Sequence, residues 1–84
     1  MRKWKWYVYI IECKDHLYYT GMTYNIEKRM DQHFFGKGSR FTARHGYGKL
    51  RYFEEFDNIY DARERERQIK DYSRKKKEKL WKNS

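Results

Sequence analysis

Glu66 falls four residues after Ala62 and three before Ile69. Ile59, Ala62, Ile69 and Tyr72 mark an apolar stripe at helical spacing, and the three-and-four intervals put Glu66 on that same face. A carboxylate there loses hydration without recompense unless it is paired or bound to a metal. The pattern leaves three readings open: a structural salt bridge, an edge position, or a cation ligand. Arg29 and His33, four apart, each precede an apolar position (Met30, Phe34) and so form a polar ridge beside a buried face. An arginine with a histidine one turn away can clamp a phosphate and move a proton beside it. The alternative is a solvated ridge over aromatics. Tyr7 and Tyr9 share one face of an aromatic-rich run, and Tyr19 follows ten residues after Tyr9. Tyrosines commonly pack with the hydroxyl tied to a neighbour; two phenols near an arginine and a carboxylate can also donate to phosphate oxygens or hold an attacking water.

These side chains need elements to position them. Trp4 to Glu12 is dense in aromatic and β-branched residues and predicts a strand, with Trp4, Trp6, Val8 and Ile10 on one face and Tyr7, Tyr9 and Ile11 on the other. Lys14-Asp15-His16 breaks it, and Leu17 to Met22 resumes as the second arm of a β-hairpin. Gly21 there predicts a bend or a close backbone approach. Asn25 caps a helix over about 25–35, with Ile26, Met30 and Phe34 as its stripe. Residues 36–48 read as a loop with one helical turn around 39–44, anchored by Phe41 and Tyr47. Lys49 to Phe56 is a third strand. Asp57 or Asn58 then caps a helix to about Tyr72, and Ser73 caps a last short helix whose apolar contacts are Leu80 and Trp81. The order β-β-α-β-α-α predicts an α+β domain, a three-stranded sheet with flanking helices.

At 84 residues the chain is expected to be one domain, 1–84, with a basic helical segment at 73–84. Charged residues make up 39% of it, a level typical of disorder, but 20% are aromatic and supply a core. The single cysteine, Cys13, excludes an intramolecular disulfide and a Cys-rich zinc site, and packing is its expected role. Without a signal-length or membrane-length apolar run, a cytoplasmic location is expected. A net charge of +9 points to a polyanion, nucleic acid ahead of an anionic membrane. Lys37, Arg40 and Arg44 in the loop, with His45, and Lys70, Arg74, Lys75 and Lys76 near the C-terminal helix are the expected backbone contacts. Residues 70–84 hold seven basic and two acidic residues. His16 reads as exposed and idle, and Gly36-Lys37-Gly38 is too short for a phosphate loop.

Taken together, Tyr7-Val8-Tyr9, Tyr19-Thr20-Gly21, Asn25 through Arg29, His33, and Ala62 through Glu66 resemble the GIY-YIG nuclease superfamily. The likeness runs over roughly residues 6–80 and is greatest to small stand-alone bacterial members, themselves similar to the catalytic domain of the excision-repair incision subunit. Tyr7-Val8-Tyr9 stands where the family pattern has Gly-Ile-Tyr. The resemblance implies that Tyr9 helps activate the attacking water, Tyr19 lies near the scissile phosphate, Gly21 is the second-motif glycine, Arg29 stabilises charge on the phosphate, His33 assists proton transfer, and Glu66 holds one divalent metal, Mg²⁺ or Mn²⁺. It implies a metal-dependent endonuclease acting on DNA, structure-selective DNA included, with a protein partner as a source of target choice. The alternatives are an inactive nucleic-acid-binding module of the same fold and an adaptor for an acidic protein.

Overall fold

The computed structural model describes residues 4–82; Met1-Arg2-Lys3 and the last two residues of the 73–84 segment lie outside the described residues. Three strands, β1 (Trp6–Cys13), β2 (Tyr18–Thr23) and β3 (Tyr47–Phe56), form one antiparallel sheet in the order β2-β1-β3. Between and after them come α1 (Ile26–Phe34), α2 (Arg40–His45), α3 (Ile59–Lys70) and α4 (Arg74–Glu78). The α+β architecture anticipated from the alternation of periods is the one observed.

β1 is central and buried on both sides, and its alternation sorts the core into two halves. Val8 and Ile10 pack with Ala62 and Ile69 of α3, joined by Trp6, Tyr18, Tyr72, Leu80 and Trp81. Tyr9, Ile11 and Cys13 face the opposite way, toward Ile26 and Met30 of α1 and Phe41 of α2. Full burial of side chains such as Val8, Ile10 and Ile69 contributes about 1.5–3 kcal/mol each. Cys13 is buried, and desolvation raises its pKa, which suits packing rather than reactivity.

Local chemistry sets the boundaries. Asn25, Ser39, Asn58 and Ser73 are the N-caps, each accepting an amide three residues on. The third strand begins at Tyr47 rather than Lys49. Gly48 permits this, because a Cβ there would lie 2.4 Å from the Glu12 carbonyl oxygen. The loop expected over 36–48 is thereby shortened, and its single turn is the helix α2.

Two readings from the sequence change. His16 adopts a left-handed φ of 70° in the hairpin turn, its ring bonds Glu12 at 2.7 Å, and its carbonyl accepts from Arg74 at 2.6 Å, so it is exposed but engaged. Phe34, expected in the α1 stripe, is 68% exposed, and His33 takes the buried position instead.

Candidate active site

The strands place the two tyrosines. Tyr9 on β1 pairs with Gly21 on β2, and a Cβ at Gly21 would stand 2.6 Å from the Tyr9 hydroxyl and 2.9 Å from the Tyr19 ring. Glycine is therefore required by the approach of both phenols. Tyr19 pairs with Ile11 and shares the Tyr9 face. Its ring lies 5.3 Å from that of His33 and stacks on Phe41 of α2 at 5.9 Å.

From α1, Arg29 and His33 both reach Tyr9. The Tyr9 hydroxyl is 2.8 Å from His33 Nε2, and Arg29 Nε donates to it at 3.3 Å. The other imidazole nitrogen, Nδ1, is 2.7 Å from Thr42 Oγ1, which is itself 2.9 Å from Ser39 Oγ. Tyr9, His33 and Thr42 are all buried. If His33 donated from Nε2, the Tyr9 oxygen would receive two donors and its own proton would have no partner. With Tyr9 donating to Nε2 and Nδ1–H donating to Thr42, every buried hydrogen is used. That assignment makes His33 Nε2 an acceptor aimed at the phenol.

Electrostatics reinforce it. Burial, and then the Arg29 charge, push the His33 pKa down to about 4, which keeps the ring neutral near pH 7. Burial lifts Tyr9 to about 12; Arg29 offsets part of this, while Tyr19 and Glu66 add to it. Desolvation works against the Arg29 charge, but its bond to the Tyr9 hydroxyl, with smaller help from the nearby Tyr19, outweighs it and favours the cation. Gln32 Oε1 holds a second guanidinium nitrogen of Arg29 at 3.0 Å.

Glu66 arrives from the other layer. β2 is an edge strand, the Tyr9 ring lies over Gly21 in that strand, and α3 packs against β1 and β2. From α3 the Glu66 charge is the smallest of the influences that raise the Tyr9 pKa. Glu66 is not turned into the core with Ala62 and Ile69: its side chain is 18% exposed and pairs with Lys70 Nζ at 3.4 Å. Of the three readings from spacing, the edge position and the ion pair describe it as it stands. The carboxylate stays reachable, since the Lys70 side chain is itself largely exposed and such pairs are weak.

Among the described residues no group of three or more His, Cys, Asp or Glu could cage a metal ion. A single carboxylate still fits a hard cation such as Mg²⁺, which retains waters and completes its shell with substrate phosphate oxygens.

The basic candidates divide. Lys37 precedes α2, and Arg40 and Arg44 lie exposed on it, beside the element that carries Thr42 and Phe41. Lys75 is exposed on α4. The rest have internal partners: Lys70 has Glu66, Arg74 stacks 4.1 Å above Tyr18 and pairs with Glu78, and Lys76 lies 4.3 Å above Tyr72. Spacing did not single out Ser39, Thr42 or Gly38. A Cβ at Gly38 would fall 2.3 Å from His33 Nδ1, so this glycine makes room for the ring. The signal available in the sequence was the glycine and two hydroxyls following the helix that carries the histidine.

A three-stranded antiparallel sheet with helices on both faces, carrying two tyrosines on its hairpin and an arginine on the helix that follows, places the chain in a known class. It belongs to the GIY-YIG catalytic domain family, which it matches over residues 5–79. It is 48% identical to a UPF0213 protein of Clostridium perfringens, over 84% of this chain and 76% of the relative. A UPF0213 protein of Haloquadratum walsbyi is 43% identical over 88% of this chain and 83% of its own length. The solution NMR structure of a UPF0213 protein from Bacillus halodurans superposes with a TM-score of 0.56 at 40% identity, covering 90% of this chain and 81% of that one. Among the described residues no helix is long and apolar enough to cross a membrane.

Proposed function

We propose that this chain is a divalent-metal-dependent endonuclease hydrolysing phosphodiester bonds in DNA, with Tyr9, Tyr19, Arg29, His33 and Glu66 as its working residues. The observation that carries the reading is the contact of the Tyr9 hydroxyl with both His33 and Arg29. A structural tyrosine needs one partner, whereas this one has a proton acceptor and a cation. Family membership, with its nuclease character, supports the same reading.

Arg29 is the group poised to move. Its bond to Tyr9 is long at 3.3 Å, and a phosphate offers a charge-assisted bidentate partner in its place. Drawn onto the phosphate, the guanidinium uncovers the Tyr9 oxygen, which then accepts a hydrogen bond from water as it passes its own proton to His33 Nε2. The Arg29 charge is one cause of the depressed His33 pKa. A bound phosphate neutralises that charge, so His33 becomes a better proton acceptor when substrate is present. Thr42 and Ser39 hold the ring in the accepting tautomer throughout. Tyr19, with its hydroxyl acting on Arg29, stands beside the same phosphate. Glu66 would hold the cation, which when bound neutralises phosphoryl oxygen and leaving-group charge.

The test is nicking of a supercoiled plasmid with Mg²⁺ and Mn²⁺. Glu66→Ala is expected to abolish nicking while DNA binding is kept or strengthened, since a negative charge is removed. Equal loss of both would favour a binding module of the same fold.

A further inference from the structure

One cluster of rings takes no part in the arrangement around Tyr9. Trp6 and Tyr24 meet edge to face with centroids 5.7 Å apart, and Trp4 meets Tyr24 at 5.5 Å. Tyr24 is 48% exposed and Trp4 71%. Small domains bury a limited share of their surface and depend on large rings for the core, so rings left in water call for a use. Between this cluster and α1 runs an open groove of about 380 Å³, in the range of small-ligand sites, whose walls include Trp6, Tyr24, Asn25, Lys28, Arg29 and Gln32. One wall is aromatic and the other is the polar side of α1. Arg29 belongs to both the groove and the catalytic arrangement.

We propose that this groove holds one unpaired nucleotide of the strand being cut, its base stacked against Tyr24 and its phosphate against Lys28, next to the phosphate held by Arg29. The inference rests on the nuclease reading and narrows its substrate to strands with an unpaired nucleotide beside the cleaved bond. Three features favour this occupant over an acidic peptide. The groove pairs flat rings with cations, the combination that binds single strands through stacking and backbone charge. It adjoins Arg29 without an intervening element. It also presents amide side chains, Asn25 and Gln32, that can meet the edge of a base.

The experiment measures binding without divalent metal, so that no strand is cut, using a labelled oligothymidylate and an abasic strand of equal length. Wild type, Tyr24→Phe and Tyr24→Ala are compared, with folding checked by circular dichroism. Tyr24→Ala is expected to weaken the oligothymidylate about tenfold, in line with loss of one base–aromatic stack. Tyr24→Phe should match wild type, and all three proteins should bind the abasic strand equally and weakly. Wild-type affinity in Tyr24→Ala, or an equal loss on the abasic strand, overturns the inference. So does Tyr24-dependent binding of polyglutamate without binding of the oligonucleotide. If Glu66-dependent nicking persists in any of those cases, the groove assignment alone has failed; if the wild type neither nicks nor binds any strand, both readings fall.

Discussion

The hydroxyl of Tyr9 and Nε2 of His33 stand 2.8 Å apart, both enclosed, with the far side of the imidazole tied to Thr42. A neutral histidine enclosed in this way couples stability to pH. Its folded pKa is near 4, whereas the unfolded value is 6.5. Between those values the unfolded chain binds more protons, so stability rises with pH across the window and is lost as pH falls from 6.5 toward 4. The contribution at stake is on the order of 2–3 kcal/mol. Urea midpoints of wild type measured from pH 7 to 4.5 should fall more steeply than those of His33→Gln, which has no such proton to take up.

Thr42 is expected to act through His33. Thr42→Val removes the acceptor for Nδ1–H and allows the other tautomer. Nicking should slow by about ten- to a hundredfold, less than the full contribution of a positioned acid or base, with Thr42→Ser restoring it. The ¹⁵N shifts of the His33 ring read the tautomer directly, and they should change in Thr42→Val and return in Thr42→Ser. A residue that only fills space would leave them alone.

Gly38→Ala drives a methyl into the His33 ring, with a Cβ-to-Nδ1 approach of 2.3 Å. Overpacking of this kind costs about 1–3 kcal/mol. Thermal unfolding should register that loss, and activity should fall even well below the melting temperature, because the ring is pushed off Tyr9.

Arg65 neighbours Glu66 in sequence and has a different task. It holds Glu54 through bonds of 2.9, 3.0 and 3.1 Å and donates to the Tyr72 hydroxyl at 3.1 Å, tying α3 to β3 and to the chain beyond it. Arg65→Met should cost on the order of 1–3 kcal/mol in urea unfolding, with nicking retained at temperatures where the variant is folded. Glu66→Ala should show the converse pattern.

Much of the scaffold was legible because its signals are local. Alternation from Trp4 to Glu12 named both faces of the strand observed at Trp6–Cys13, and capping residues at Asn25, Asp57 or Asn58, and Ser73 marked helix starts, Asn58 being the cap observed. His33 misled as a ridge residue because its neighbour Phe34 is apolar and fits the same period. The histidine wins the interior because both ring nitrogens find partners there, at Tyr9 and Thr42, and helical periodicity does not register a partner that lies beyond the helix. Glu66 was legible only as a choice of readings: the stripe put it on the apolar face, and its pairing with Lys70 and its place at the margin of that face, 18% exposed, answer to the salt-bridge and edge readings. The Tyr9–Arg29 contact depends on how α1 crosses the sheet, which the order of elements alone does not fix.

In the proposed mechanism Glu66 and Tyr9 serve one phosphate from two layers of the fold. Paramagnetic Mn²⁺, titrated into the protein with a phosphorothioate strand bound, tests this directly by NMR. Signals of Glu66, Tyr9, Tyr19 and Arg29 are expected to broaden first and together, and Glu66→Gln should abolish the effect. Broadening centred on other residues, or the same broadening in Glu66→Gln, would contradict it.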